Sequence, residues 1–261
     1  HEGSERAVID VENTRYDLQL GYSQQLWHFN INLSLVDNQP GHLDSTIEDW
    51  HDFWGLPQGG RDRAVNDRLQ LSYEKDGETI FRTSQSGNGL ADIQLSAGYS
   101  LDENSRIWMA LELPSNSNNE LISNDRIDLA FWLSTQHPLS ENNLGYASIG
   151  TTLIGNGGVF KDRLNEAVLF AQGGTVYHYS ETLQFLLQAD YHSPIVQNSD
   201  LHALGHSLQA QFALRLPRLI GNHWLEVFFS EDIWPGHAPD ITFAIRLSTS
   251  GQPSSNQAPK Y

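Results

Sequence analysis

"TLQFLLQADY", Thr182 to Tyr191, sets Leu183, Phe185, Leu187, Ala189 and Tyr191 at alternate positions, with Gln184, Gln188 and Asp190 opposite them. Alternation at period two marks a strand with one apolar and one polar face. The next segment repeats it. In "HSLQAQFALRL", His206 to Leu216, the apolar row is Leu208, Ala210, Phe212, Leu214 and Leu216, against Gln209, Gln211 and Arg215. Working outward, apolar rows recur at Tyr16 to Tyr22, Trp27 to Leu35 and Ile93 to Tyr99, faced by Asp17, Gln19, His28, Asn30, Asn32, Ser34, Asp92, Gln94 and Ser96. Further strands are expected at Ile107 to Leu113, Ile127 to Leu133, Ala147 to Leu153, Leu225 to Phe229 and Ile241 to Leu247. Val168 to Tyr179 reads as a strand with blurred alternation, and Gly173-Gly174 predicts a bulge or bend in it. Eleven long strands follow, in one domain over residues 1–248 with a polar tail at 249–261.

The connections sort by length. Short ones are expected at Ser23 to Gln25, Asp102 to Ser105, His137 to Asn143, Ser180 to Glu181 and Leu219 to Asn222. They alternate with longer ones at Asp37 to Asn88, Ser115 to Asn124, Gly155 to Asn165, Pro194 to Gly205 and Glu231 to Asp240. Transmembrane β-barrels alternate short periplasmic turns with longer external loops, whereas a soluble sandwich has no reason to do so. The fold expected is therefore all-β, an antiparallel up-and-down transmembrane barrel of about twelve strands. Aromatics at strand ends (Tyr22, Trp27, Tyr99 and Tyr179 beside short turns; Tyr16, Tyr191 and Phe229 near long loops) fit the girdles of such barrels.

Composition allows this. The 261 residues are 39% hydrophobic with a mean hydropathy of −0.43, and no run approaches the roughly 18 apolar residues of a membrane helix. A barrel strand needs apolar side chains only at every second position. The net charge of −17, from 15 basic and 32 acidic residues, repels phosphate backbones, so nucleic acid is not an expected partner. With no cysteine, no thiolate site is available. Strand parity adds an expectation. If the last strand runs down to the periplasm, the first visible one does too, so the full barrel has one more N-terminal strand, or "RLQLSYEKDGETIFRTS", Arg68 to Ser84, adds wall strands instead of forming a hairpin in the first long loop.

The combination of "EDWHDFWGLPQGGRD" (48–62), "GNGLADIQLSAGYSL" (87–101), a strand ending "LELP" (111–114) and "SEDIWPGHAPDITFAIRL" (230–247) resembles a Gram-negative outer-membrane family known as domain of unknown function 3187. The resemblance covers about residues 5 to 248. It implies an outer-membrane barrel, an additional strand before His1 and no assigned activity. The expected surroundings are outer-membrane lipids and lipopolysaccharide, with the barrel assembly machinery during biogenesis.

Candidate functional residues follow from the strand faces, since unsatisfied polar groups in hydrocarbon cost several kcal/mol and turn the polar faces inward. The expected lumen lining is Asp17, His28, Asn30, Asp92, Gln94, Arg106, Glu112, Asp128, Gln184, Gln188, Asp190, Gln209, Gln211, Arg215, Glu226 and Arg246. Such a lining suits a water-filled conduit for a small solute with mild cation preference, or charges that pair and fill the lumen. In the first long loop, Ser45 and Glu48 form a capping-box pattern and Gly55 a helix stop, with Ile47, Trp50 and Trp54 on one face. A helix over Thr46 to Trp54 is expected at the barrel mouth or in the lumen, where Trp50, His51, Asp52, Trp54, Gln58, Arg61 and Asp62 would form a constriction.

Neither cofactor nor metal is called for. His192, His202 and His206 read as loop histidines, since "HALGH" breaks its helix with Gly205. His192-Ser193 and His206-Ser207 have the types of a lipid hydrolase without a nameable third group or oxyanion donor. "GNGGVF" and "QGG" lack a phosphate-binding lysine. A passive channel is the leading expectation, ahead of a closed structural or adhesive barrel and of a lipid-modifying enzyme.

Overall fold

The computed structural model describes residues 4–55, 67–115, 119–220, 223–233 and 241–249. Its strands are β1 (Glu5–Asp10), β2 (Glu12–Gln24), β3 (Trp27–Gln39), β4 (Gln70–Lys75), β5 (Glu78–Thr83), β6 (Gly87–Leu90), β7 (Ile93–Ser100) and β8 (Ser105–Leu113). They continue as β9 (Asp128–Ser140), β10 (Asn143–Leu153), β11 (Ala167–Ser180), β12 (Leu183–His192), β13 (Ser207–Ile220), β14 (His223–Asp232) and β15 (Ile241–Ser248). One helix, α1 (Asp44–Trp54), follows β3.

Twelve strands form one antiparallel sheet in the order β15-β14-β13-β12-β11-β10-β9-β8-β7-β3-β2, with β6 also on β3. β6 pairs with the upper part of β3 at Leu35 to Asn38 and β7 with its lower part at Trp27 to Asn32, so both lie in one wall position. The wall thus has the eleven positions read from the alternation. β2 and β15 form no ladder with each other. In an eleven-position meander they run the same way, so direct pairing between them would be parallel.

The sheet curls around its polar face. Ser34, Ser134, Arg215, Glu226 and Gln184 are buried, while Ile149, Leu169, Phe243 and Ile245 stand out, Ile245 with 75% of its surface exposed. This is the reverse of a soluble domain, in which apolar groups go in. Tyr16, Tyr22, Trp27 and Tyr179 are exposed on the outer face near strand ends, and Trp27 meets Tyr99 edge-on at 5.0 Å.

The strands are tilted, as one register row shows. Ser23 pairs with His28, His28 with Gly98, Gly98 with Trp108, Trp108 with Trp132, Trp132 with Gly150, Gly150 with Phe170 and Phe170 with His192. The row starts beside the β2–β3 turn and ends where β12 meets a long loop, so it climbs the whole wall. A strand of 13 residues tilted by about 40° rises roughly 33 Å, which matches the ~30 Å hydrocarbon core of a bilayer.

Several local expectations change. β9 continues to Ser140, so the turn expected over His137 to Asn143 shrinks to Glu141-Asn142, with the register shift falling between Asn143 and Leu144. The Gly173-Gly174 pair makes no bulge, because the ladders to β10 and β12 run through both residues without a shift. Gly174 instead leaves space: a Cβ there would lie 2.6 Å from the Tyr146 hydroxyl. The 68–84 segment forms the hairpin β4–β5, which joins β1 in a separate three-stranded sheet and adds nothing to the wall.

α1 corrects two further readings. It starts at Asp44, and no side chain caps its N-terminus, so the Ser45–Glu48 capping box does not form. Asp44 Oδ2 accepts the Asp67 N–H at 2.7 Å. Gly55 does end the helix, at φ 67°, a left-handed conformation that suits glycine. Of the two places expected, the helix takes the long-loop end of the wall, on its outside, and not the lumen. Trp50 packs edge-on against Phe229 and Phe243, at 5.9 and 6.5 Å, and these belong to the outward rows of β14 and β15. Ile47 and Trp50 of its apolar stripe are half-buried, Trp50 against the apolar outer wall, because the polar lumen offers such a stripe no partner.

Candidate functional site

The polar face gathers its predicted residues into three zones. At the long-loop end, Asp92 accepts the N–H groups of Ser115 (2.9 Å) and Asn124 (3.3 Å). Asp128 accepts from Gly155 N–H at 2.6 Å and Asn124 Nδ2 at 3.1 Å. Glu112 stands in register between Gln94 and Asp128. Asp17 accepts from the Ser34 hydroxyl and from Arg15 Nε at 2.9 Å. On β12, Asp190 accepts from Gln188, which accepts from the Tyr146 hydroxyl at 2.6 Å. Gln209 and Gln211 lie opposite Asp190 and Gln188.

The lumen-facing arginines stand toward the short-turn end. Arg215 Nε donates to Glu226 Oε2 at 2.7 Å, and Arg246 Nη1 donates to Glu226 Oε1 at 2.9 Å. The three are cross-strand neighbours on β13, β14 and β15. Each guanidinium also covers a ring, Arg215 that of Trp224 and Arg246 that of Phe228, at 5.7 and 5.6 Å. Gln184, opposite Arg215, contacts His178 Nδ1 at 3.1 Å. Arg106 reaches Ser100 Oγ at 3.4 Å. His28 bridges Ser23 Oγ and Ser100 Oγ, both at 2.9 Å, and Asn30 donates to Ser96 Oγ at 3.3 Å.

Between these ends lies a zone that the alternation does not disclose. Trp108 and Trp132 stack at 5.6 Å with planes 5° apart, and Trp132 meets Phe170 edge-on at 6.4 Å. A second cluster joins Tyr146, Val176, Leu186 and Ala213, with Leu144 and Phe228 against it. These residues sit at polar-face positions of their strands. The available signal is glycine spacing: a Cβ on Gly98 would come within 2.5 Å of the Trp108 ring, and one on Gly150 within 2.3 Å of Phe131 O. Glycine in a strand facing an aromatic neighbour marks such packing.

At the long-loop end the long connections tie to one another and to the small sheet. Ile122 packs with Val36 and Ala91. Arg126 Nε donates to Asn156 O at 3.2 Å, and Asn165 N–H to Ile195 O at 2.8 Å. Phe160 contacts Tyr73 and Phe81 of the small sheet, at 5.4 and 5.6 Å. Glu5 on β1 accepts from Lys75 Nζ (2.5 Å), Tyr73 OH (2.9 Å), Ser199 Oγ (2.7 Å) and Asp200 N–H (2.9 Å). Burial alone would raise its carboxyl, but these donors win and hold it at about 2.

Of the residues expected to constrict the lumen, the described Trp50, His51 and Asp52 do not gather there. Trp50 and His51 lie on the outer-wall side, His51 Nε2 being 3.7 Å from Glu231 Oε1, and Asp52 is exposed on the same helix. Gln58, Arg61, Asp62 and the Trp54 side chain lie outside the described residues. Of the serine–histidine pairs, Ser193 Oγ accepts the Leu169 N–H at 2.9 Å, and Ser207 is buried opposite His192. His206 Nδ1 meets Tyr191 OH at 2.8 Å, and His202 opens a single 3₁₀ turn.

No helix among the described residues is long and apolar enough to cross a membrane, which says nothing of strands. No curated protein matches the sequence. In structure the chain is similar to the COG4313 outer membrane channel from Pseudomonas putida F1, with a TM-score of 0.51 and 12% identity, over 95% of this chain and 97% of that one. That likeness shows the fold alone. The family described as protein of unknown function DUF3187 matches residues 2–250, and the chain belongs to that family.

Proposed function

From a DUF3187-family chain with this fold, we propose an outer-membrane β-barrel that passes small solutes passively, its access set by the cap of long connections and the β1-β4-β5 sheet. One observation carries the reading: the apolar faces of the strands are exposed and the charged and amide faces enclosed. Such a wall is stable only with hydrocarbon outside it. The outer face meets lipid and lipopolysaccharide, and the enclosed face is the surface a solute would meet. Folding would pass through the barrel assembly machinery. The reading assigns no catalytic step and no cofactor.

Planar-bilayer recording of the folded protein tests it. Stable single-channel steps are expected, and their absence from protein shown to be folded would sink the channel reading. A second reading is favoured by the Arg215–Glu226–Arg246 pairing and the packed Trp108–Trp132–Phe170 row. These fill lumen space, as they would in a closed barrel whose external loops bind a partner.

A further inference from the structure

The lumen is charged lengthwise. Asp92 just before β7, Asp128 at the start of β9 and Asp190 near the end of β12 stand at the long-connection end, and their hydrogen-bond donors are neutral: backbone N–H groups, Asn124 and Gln188. Arg106, Arg215 and Arg246 stand toward the short turns. Arg106 is the second residue of β8 after its turn, and Arg215 is in register with Gln184, the second residue of β12 after its own. Among these lumen-facing strand residues Glu226 offsets one of the three positive charges, while Asp102, Glu103, Glu141 and Glu181 lie beyond them in the short turns.

A second observation points to a ligand at the positive end. Arg215 is only 3% exposed, yet its Nη1 has no hydrogen-bond partner among the described residues. Arg246, by contrast, has 49% of its side chain exposed. A guanidinium has five donors in a fork that fits a carboxylate, and Glu226 occupies only part of the donor set of these two. Between the poles runs the aromatic and aliphatic zone of Trp108, Trp132, Tyr146 and Leu186.

We propose that the solute is a small zwitterion, drawn through the lumen with its ammonium toward the Asp92–Asp128–Asp190 end and its carboxylate toward Arg215 and Arg246. A simple cation is favoured at one end and repelled at the other, and a simple anion the reverse. A molecule carrying both charges on an apolar stem is stabilised at both ends and along the middle. The same field makes ion flow unequal in the two directions. The inference rests on the channel reading above.

The test is single-channel recording of the full chain inserted in one orientation, with aminohexanoate, hexanoate and hexylamine as matched probes. Wild-type current in symmetric KCl should differ about twofold or more between opposite voltages of equal size. Aminohexanoate should interrupt it at roughly tenfold lower concentration than either singly charged analogue. Arg246→Gln and Asp190→Asn should each reduce both effects. Conduction that is ohmic, or blocked alike by all three probes, overturns the proposal and leaves the channel standing. Absence of conductance from folded wild-type protein overturns the channel and the zwitterion together.

Discussion

Single residues carry the tightest constraints. Gly150 lies in register between Trp132 and Phe170, and a Cβ there would sit 2.3 Å from Phe131 O and 2.5 Å from Trp132 Cβ. The first of these is backbone and cannot swing aside. Gly150→Ala should therefore block formation of the folded, heat-modifiable band in SDS gels, and a band of wild-type intensity would count against this packing. Glu5 sets a pH limit. Its folded carboxyl is held at about 2 against an ordinary 4.5, so its contribution is complete above the ordinary value and disappears as pH falls toward about 2. Hydrogen exchange at the Asp200 amide should stay slow at neutral pH and quicken across that acid window. In Glu5→Gln it should be faster already at neutral pH, by the ~1–3 kcal/mol of a weakened buried hydrogen-bond cluster.

At the scale of elements, α1 and the last three strands give separable predictions. Because Trp50 rests on the outer wall at Phe229 and Phe243, Trp50→Ala should speed hydrogen exchange of the 47–54 amides while leaving conductance unchanged. A changed conductance would return the helix to the lumen. Across β13, β14 and β15, Glu226 is the shared acceptor of two arginines. Glu226→Ala leaves Arg215 buried without its counter-charge, and should cost about 3–5 kcal/mol in urea unfolding. A loss below about 1 kcal/mol would mean that Trp224, Phe228 and water already satisfy the guanidinium groups.

For the whole molecule, the exposed apolar wall predicts that folded protein is recovered in detergent or lipid, with heat-modifiable mobility, and aggregates without them. Recovery of folded monomer in plain buffer would remove the membrane reading. The eleven wall positions, the sorting of connections and the inward polar row were legible in the sequence because period-two alternation is local: each strand states its own two faces. The hairpin at 68–84 was legible for the same reason. What contacts what was not. The alternation of α1 shows an apolar stripe but no destination, and only the curl of the sheet places β14 and β15 where that stripe meets Phe229 and Phe243. Trp108, Trp132 and Phe170 fall on the polar side of strands that are apolar on both, and only the climbing register sets them beside one another and against Gly98 and Gly150. The sequence by itself determined which residues face lipid and which face inward, since that follows from parity along each chain segment. Tertiary structure alone decided how the inward charges divide between the two ends, because strand tilt and stagger are properties of the whole curled sheet and of no single strand.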